Sequence, residues 1–99
     1  MQYELQSTEH FNKWLAKVKD RQVRARIVRR IDGMIIGAFG DCKTINANLF
    51  ELRLFFGPGY RVYYTIKKER IIFLLAGGDK STQPKDIEKA LALLQALEE

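Results

Sequence analysis

Residues Leu49–Ser81 read LFELRLFFGPGYRVYYTIKKERIIFLLAGGDKS, and the parsing of this stretch decides the fold. It predicts three consecutive strands joined by two tight connections. Side chains on a strand alternate between its two faces. On the first strand Glu51, Arg53 and Phe55 therefore point one way, and Leu52, Leu54 and Phe56 the other. Gly57-Pro58-Gly59 places a residue of fixed φ between two that tolerate positive φ, so the chain reverses there. On the next strand Arg61, Tyr63 and Thr65 share one face, and Val62, Tyr64 and Ile66 the other. One face has to meet a hydrophobic core, which leaves Arg53, Arg61 and Tyr63 expected to face water or a ligand. Lys67–Glu69 makes the second connection. Ile71–Ala76 is continuously apolar, as a central strand covered on both faces requires, and Gly77-Gly78 is expected to end it.

Upstream, Tyr3–Gln6 alternates and predicts a short first strand. Ser7 or Thr8 is placed to cap a helix whose apolar stripe is Phe11, Trp14, Leu15 and Val18. Trp14 reads as a core anchor. Asp20 caps a second helix running to about Ile36, with Val23, Ile27, Ile31, Met34 and Ile35 as its buried stripe. Arg26, Arg29 and Arg30 fall on the opposite side, and Arg24 falls within the apolar arc, where it has to snorkel or pair. This arginine-rich face reads either as a nucleic-acid patch, with Arg26 and Arg30 as contacts, or as a solvated or protein-docking face. Gly37–Asn48 reads as irregular. The last helix is expected to begin near Thr82, with Pro84 in its first turn and Ile87, Ala90, Leu91, Leu94 and Leu97 as its stripe. The order is strand, helix, helix, three strands, helix. It indicates an α+β domain with helices packed on a mostly antiparallel four-stranded sheet.

Composition narrows the function. The 99 residues read as one domain, and a hydrophobic fraction of 46% suits a globular chain. The single Cys42 allows no internal disulfide, and His10 has no zinc-spaced partners, so no metal or cofactor is expected. No signal peptide or membrane-spanning run is expected, and a reducing cytoplasm is the default compartment. The net charge of +5 favours a polyanionic partner such as nucleic acid, ribosome or an acidic protein segment.

Several segments together resemble the RelE/ParE superfamily of toxins from bacterial toxin–antitoxin modules, in its HigB-like, addiction module killer branch. They are FNKWL at Phe11–Leu15, RARIVRRI at Arg24–Ile31, GDCK at Gly40–Lys43, ELRLFFGPGYRVYY at Glu51–Tyr64 and LLAGGDKSTQPKDIEKA at Leu74–Ala90. The resemblance spans essentially the whole chain. It implies a RelE-like fold and an mRNA endonuclease, commonly ribosome-associated, that uses no metal. It also implies a cognate helix-turn-helix antitoxin. In such enzymes the RNA 2′-hydroxyl attacks its own 3′-phosphate, and basic residues of the sheet hold that phosphate. By position Arg61 matches the family's sheet arginine, Arg53 a strand cation, and Lys80 a further basic residue. The family's C-terminal tyrosine or histidine has no counterpart within Thr82–Ile87. The superfamily also contains gyrase poisons, and a non-catalytic interaction domain is the third reading.

The chemistry asks for a base, cations for the phosphorane and an acid for the leaving oxygen. Arg53 and Arg61 suit the cationic role, since guanidinium grips phosphate bidentately. Lys80 suits either that role or the acid. Glu51 is the candidate base and Asp79 the second, although Glu51 is equally suited to pair with an arginine across the hairpin, and Asp79 to a turn. Tyr63 is placed to hydrogen-bond to RNA or stack on a base.

Overall fold

A computed structural model describes residues 2–98. Its elements are β1 (Glu4–Ser7), α1 (Glu9–Ala16), α2 (Arg21–Ile35), β2 (Cys42–Thr44), β3 (Phe50–Leu54), β4 (Tyr60–Lys67), β5 (Ile71–Asp79) and α3 (Gln83–Glu98), with a 3₁₀ turn at Lys80–Thr82 leading into α3. The sheet runs β1-β5-β4-β3-β2. Only β1 on β5 is parallel. The expected four strands are all present, and β2 is a fifth at the edge. It lies within the stretch read as irregular because its three residues are all exposed, so no apolar alternation marks it. Register alone recruits it, with Cys42 opposite Leu52 and Lys43 opposite Glu51.

Local signals set the helix starts. Thr8 Oγ1 accepts from the Phe11 amide at 3.0 Å, and Asp20 Oδ1 from those of Gln22 and Val23 at 2.8 and 3.3 Å. These bonds satisfy first-turn donors that have no partner within the helix. Arg24, the cation in the apolar arc, turns its guanidinium back to the Val18 carbonyl at 2.7 Å. On this side of the sheet α1 and α2 bury Phe11, Ile27, Ile31 and Met34 against Leu52, Leu54, Val62, Tyr64, Ile72 and Leu74.

The other face departs from the expectation. α3 lies across it, and Ala90 and Leu94 pack on Leu49, Tyr63, Leu75 and Ala76. Both faces are therefore covered over β4 and β5, and Tyr63 is fully buried rather than facing water. A register shift helps: Tyr63 pairs with Ala76 and Tyr64 with Leu74, so the intervening Leu75 is extra and joins Ala76 on the α3 side. In α3, Leu93 packs inward while Leu91 stays 38% exposed.

Gly77 and Gly78 continue β5 instead of ending it. A Cβ on Gly77 would run into the Trp14 indole, and one on Gly78 into the Asp86 carboxyl. The pair is glycine because α1 presses on one side of the strand and α3 on the other. Trp14 is the anchor expected, in contact with the Phe11 and Tyr60 rings at 5.8 and 6.4 Å between centroids. Among the described residues no helix is long and apolar enough to cross a membrane.

Candidate active site

α3 covers only part of its face. Beyond its N-terminus, the ends of β3 and β4 stay open as a cleft of about 330 Å³, lined by Lys43, Glu51, Arg53, Phe55, Gly59, Arg61, Lys80 and Gln83. β3 and β4 supply its floor, β2 one rim, and the 3₁₀ turn with the first residue of α3 the other.

Arg53 and Arg61 are direct cross-strand partners on that floor. Like charges directly opposite each other destabilise a sheet, so something has to hold them there. The Arg53 backbone N–H donates to the Asp41 carbonyl at 3.0 Å, and its Nε stands 3.9 Å from the Asp41 carboxylate. Arg61 Nη1 donates to the Gly59 and Tyr60 carbonyls, both at 3.1 Å, and its Nε lies 3.8 Å from Glu51 Oε1. Neither Nε completes a hydrogen bond, although both are buried. Phe55, 67% exposed, stands beside the pair, with the two guanidinium carbons 5.1 and 5.7 Å from its ring centroid. Two guanidiniums side by side on the floor of one cleft are chemically suited to an anion, since guanidinium grips phosphate or carboxylate bidentately.

Glu51 lies at the bottom of the cleft, 1% exposed. Its Oε1 faces Arg61, and its Oε2 accepts from Gln83 Nε2 at 2.5 Å. Tyr63 is opposite Glu51 on β4, and its buried hydroxyl has no hydrogen-bond partner. Burial first, and the neighbouring Glu51 charge second, push the Tyr63 phenol well above its ordinary pKa. Tyr63 thus stays neutral and lies beneath the site, with no face for a nucleotide to stack on.

Over residues 13–95 the sequence matches the family described as phage derived protein Gp49-like (DUF891). The chain belongs to the Gp49-like family. It is 44% identical over 97 residues, 98% of each chain, to an uncharacterized protein of Haemophilus influenzae. Among solved structures, the free E. coli toxin RelE, as an arginine-to-alanine double mutant, superposes with a TM-score of 0.75 at 18% identity, covering 93% of this chain and 97% of that one. A chain of the Mycobacterium tuberculosis toxin–antitoxin complex RelBE2 gives 0.66 at 21% identity, covering 81% and 100%. At these identities the likeness is one of fold. The RelE-like α+β fold expected from the resemblance is therefore observed, with a fifth strand at the sheet edge and α3 across the face expected to be open.

The remaining sequence-derived candidates of this Gp49-like protein divide. Lys80 is exposed on the cleft rim beside the two arginines. Asp79 does not line the cleft. Its carboxylate accepts from the Ser81 amide at 2.8 Å and the Ser81 hydroxyl at 2.5 Å, and so caps the 3₁₀ turn that presents Lys80. Arg30 donates to the carbonyls of Arg53, Phe39 and Asp41 at 3.0, 3.1 and 3.4 Å, tying α2 to the end of β3. Arg26 lies over the Phe56 ring at 3.7 Å, on the α2 side of β3. Two cleft residues had no functional reading from the sequence. Lys43 reaches the rim through the unforeseen β2, and Gln83 holds Glu51. Among the described residues no three His, Cys, Asp or Glu side chains gather as a metal site.

Proposed function

We propose that this protein is the toxin of a type II toxin–antitoxin module, in the HigB-like branch, and that it is an mRNA endoribonuclease. It works without a metal in the cytoplasm, on messages at the ribosome, and a helix-turn-helix antitoxin holds it inactive. The observation that carries the reading is the cross-strand pair Arg53 and Arg61 on the floor of one cleft, with Lys80 on its rim. The family, the RelE-like fold and the net charge of +5 support it.

In this reading the scissile phosphate sits against Arg53 and Arg61, with Lys80 reaching it from the 3₁₀ turn. The ribose 2′-oxygen attacks phosphorus as Glu51 takes its proton. The guanidiniums stabilise the dianionic phosphorane. The bond to the 5′-oxygen then breaks, and Lys80 protonates that oxygen, leaving a 2′,3′-cyclic phosphate and a free 5′-hydroxyl. Glu51 lines the cleft, and Gln83 fixes the direction of its carboxylate.

Induced expression tests the reading. Growth should arrest, and primer extension should map new 5′ ends within messages. Lys80→Ala, at an exposed position, should keep the fold and lose cleavage about 100-fold, the range for a lost general acid. Arrest with intact messages and double-strand DNA breaks would replace the nuclease with a gyrase poison. Full toxicity in well-folded Arg53→Ala and Arg61→Ala variants would replace it with a docking domain.

A further inference from the structure

Phe55 lines two cavities. One is the cleft with Arg53 and Arg61. The other lies on the α2 side, about 310 Å³, lined by Arg26, Arg29, Arg30, Leu54, Phe55 and Phe56. Three arginines and two phenylalanines line this second groove, and among the described residues no carboxylate does. Arg30 is committed to backbone carbonyls and Arg26 rests on Phe56, so both are held in place. Arg29 is exposed and makes no ion pair among the described residues. Phe55 itself is 67% exposed, directly after β3, where a large apolar ring gains nothing from water.

We propose that the α2 groove is a second subsite for the same single-stranded RNA, resting on the endoribonuclease reading above. The strand leaves the Arg53–Arg61 cleft across the Phe55 ring, where one base stacks. The next phosphate enters the groove, where Arg26 and Arg29 neutralise it. An aromatic platform between two cationic troughs is the arrangement that holds single strands without reading their sequence, because every base has a face to stack and every nucleotide a phosphate. An acidic peptide would satisfy the arginines but would leave Phe55 without a planar partner. Arg26 and Arg29 thus act on strand length and path, and Arg53 and Arg61 on the reacting phosphate.

The test uses fluorescently labelled 2′-O-methyl RNA, which cannot be cleaved, as a dinucleotide and as an eight-mer, with anisotropy as the readout over a range of salt. In the wild type the eight-mer should bind more tightly than the dinucleotide. Phe55→Ala should weaken the eight-mer about tenfold, the effect of one lost base–aromatic stack. Arg29→Ala should lower the salt slope of eight-mer binding by about 0.7, one phosphate contact on a single strand. It should leave dinucleotide binding unchanged. Equal affinity of the two lengths, or an Arg29→Ala variant with the wild-type salt slope, would overturn the subsite. So would a poly-Glu peptide that displaces the eight-mer and itself loses affinity in Arg29→Ala, which would assign the groove to an acidic protein segment. Cleavage in the induced cells is read separately. A toxin that cuts messages while its α2 groove ignores the eight-mer keeps its function and loses only this subsite.

Discussion

Glu51→Gln removes one charge and almost no volume from the bottom of the cleft, so its effect isolates the ion pair there. The Glu51 and Arg61 side chains are 1% and 7% exposed, with 3.8 Å between Oε1 and Nε. At an effective dielectric constant of about 20, that separation corresponds to about 4 kcal/mol of attraction. Breaking a buried pair by neutralising one partner costs about 3–5 kcal/mol, because the other charge stays buried without compensation. The low end applies, since Arg61 keeps its bonds to the Gly59 and Tyr60 carbonyls. The new amide also meets the Gln83 side chain, which now donates to Glu51 Oε2, and one of the two has to turn over to avoid donor facing donor. A loss of about 3 kcal/mol lowers the melting temperature of a domain this size by about 12–24 °C. The same change leaves Arg53 and Arg61 adjacent with less negative charge between them, so the variant should bind inorganic phosphate more tightly than the wild type. Thermal melts in phosphate and in an uncharged buffer at equal ionic strength read both effects. The variant should regain more stability in phosphate than the wild type gains, following the mass-action relation for a ligand of the native state. A melting temperature lowered by less than about 4 °C, or equal phosphate stabilisation of both proteins, would refute the buried pair as the organiser of the anion site.

Three further outcomes follow from the packing. Burial, assisted by Glu51 for Tyr63 and by Cys42 for Tyr64, raises both phenols in the folded state. Their contribution to stability is complete below the unfolded value near ~10 and declines as pH rises beyond it, by about 1.4 kcal/mol per pH unit for each phenol; urea melts between pH 8 and 11.5 should show this, and Tyr63→Phe should halve the slope without loss at neutral pH, since its hydroxyl has no partner. Gly77→Ala drives a methyl into the Trp14 indole and should cost about 3 kcal/mol, with a shift in Trp14 fluorescence; unchanged fluorescence and stability would mean that α1 does not press on β5. Arg30→Met removes all three carbonyl bonds and the charge, and should lower stability by about 2 kcal/mol while leaving the salt slope of RNA binding unchanged; a lower slope at full stability would make Arg30 an RNA ligand.

The cations of the cleft were legible because a strand has a period of two. Alternation alone put Arg53, Arg61 and Glu51 on one face, and the hairpin glycines at Gly57 and Gly59, both at positive φ, set the connection that brings them level. Tyr63 shares that face by the same rule, yet it is buried, because periodicity reports the side of a sheet and not what covers it. Gly77 and Gly78 looked like a strand end for a related reason. A glycine that ends a strand and one that admits two helices are the same letter.

By itself the sequence determined the order of elements apart from β2, the helix starts near Thr8 and at Asp20, most of the apolar stripes and the two arginines of the cleft, all of which rest on interactions within a few residues or on a fixed period. The tertiary structure alone decided that α3 lies across the polar face. That placement buries Tyr63, brings Gln83 onto Glu51 and leaves open only the end of the sheet where Arg53, Arg61 and Lys80 meet. It also decided that Lys43 joins them through an edge strand with no pattern of its own, and that Phe55 divides two arginine-lined cavities. These contacts join residues far apart in the chain. Their energy depends on where a whole helix or edge strand docks, and no local period encodes that choice.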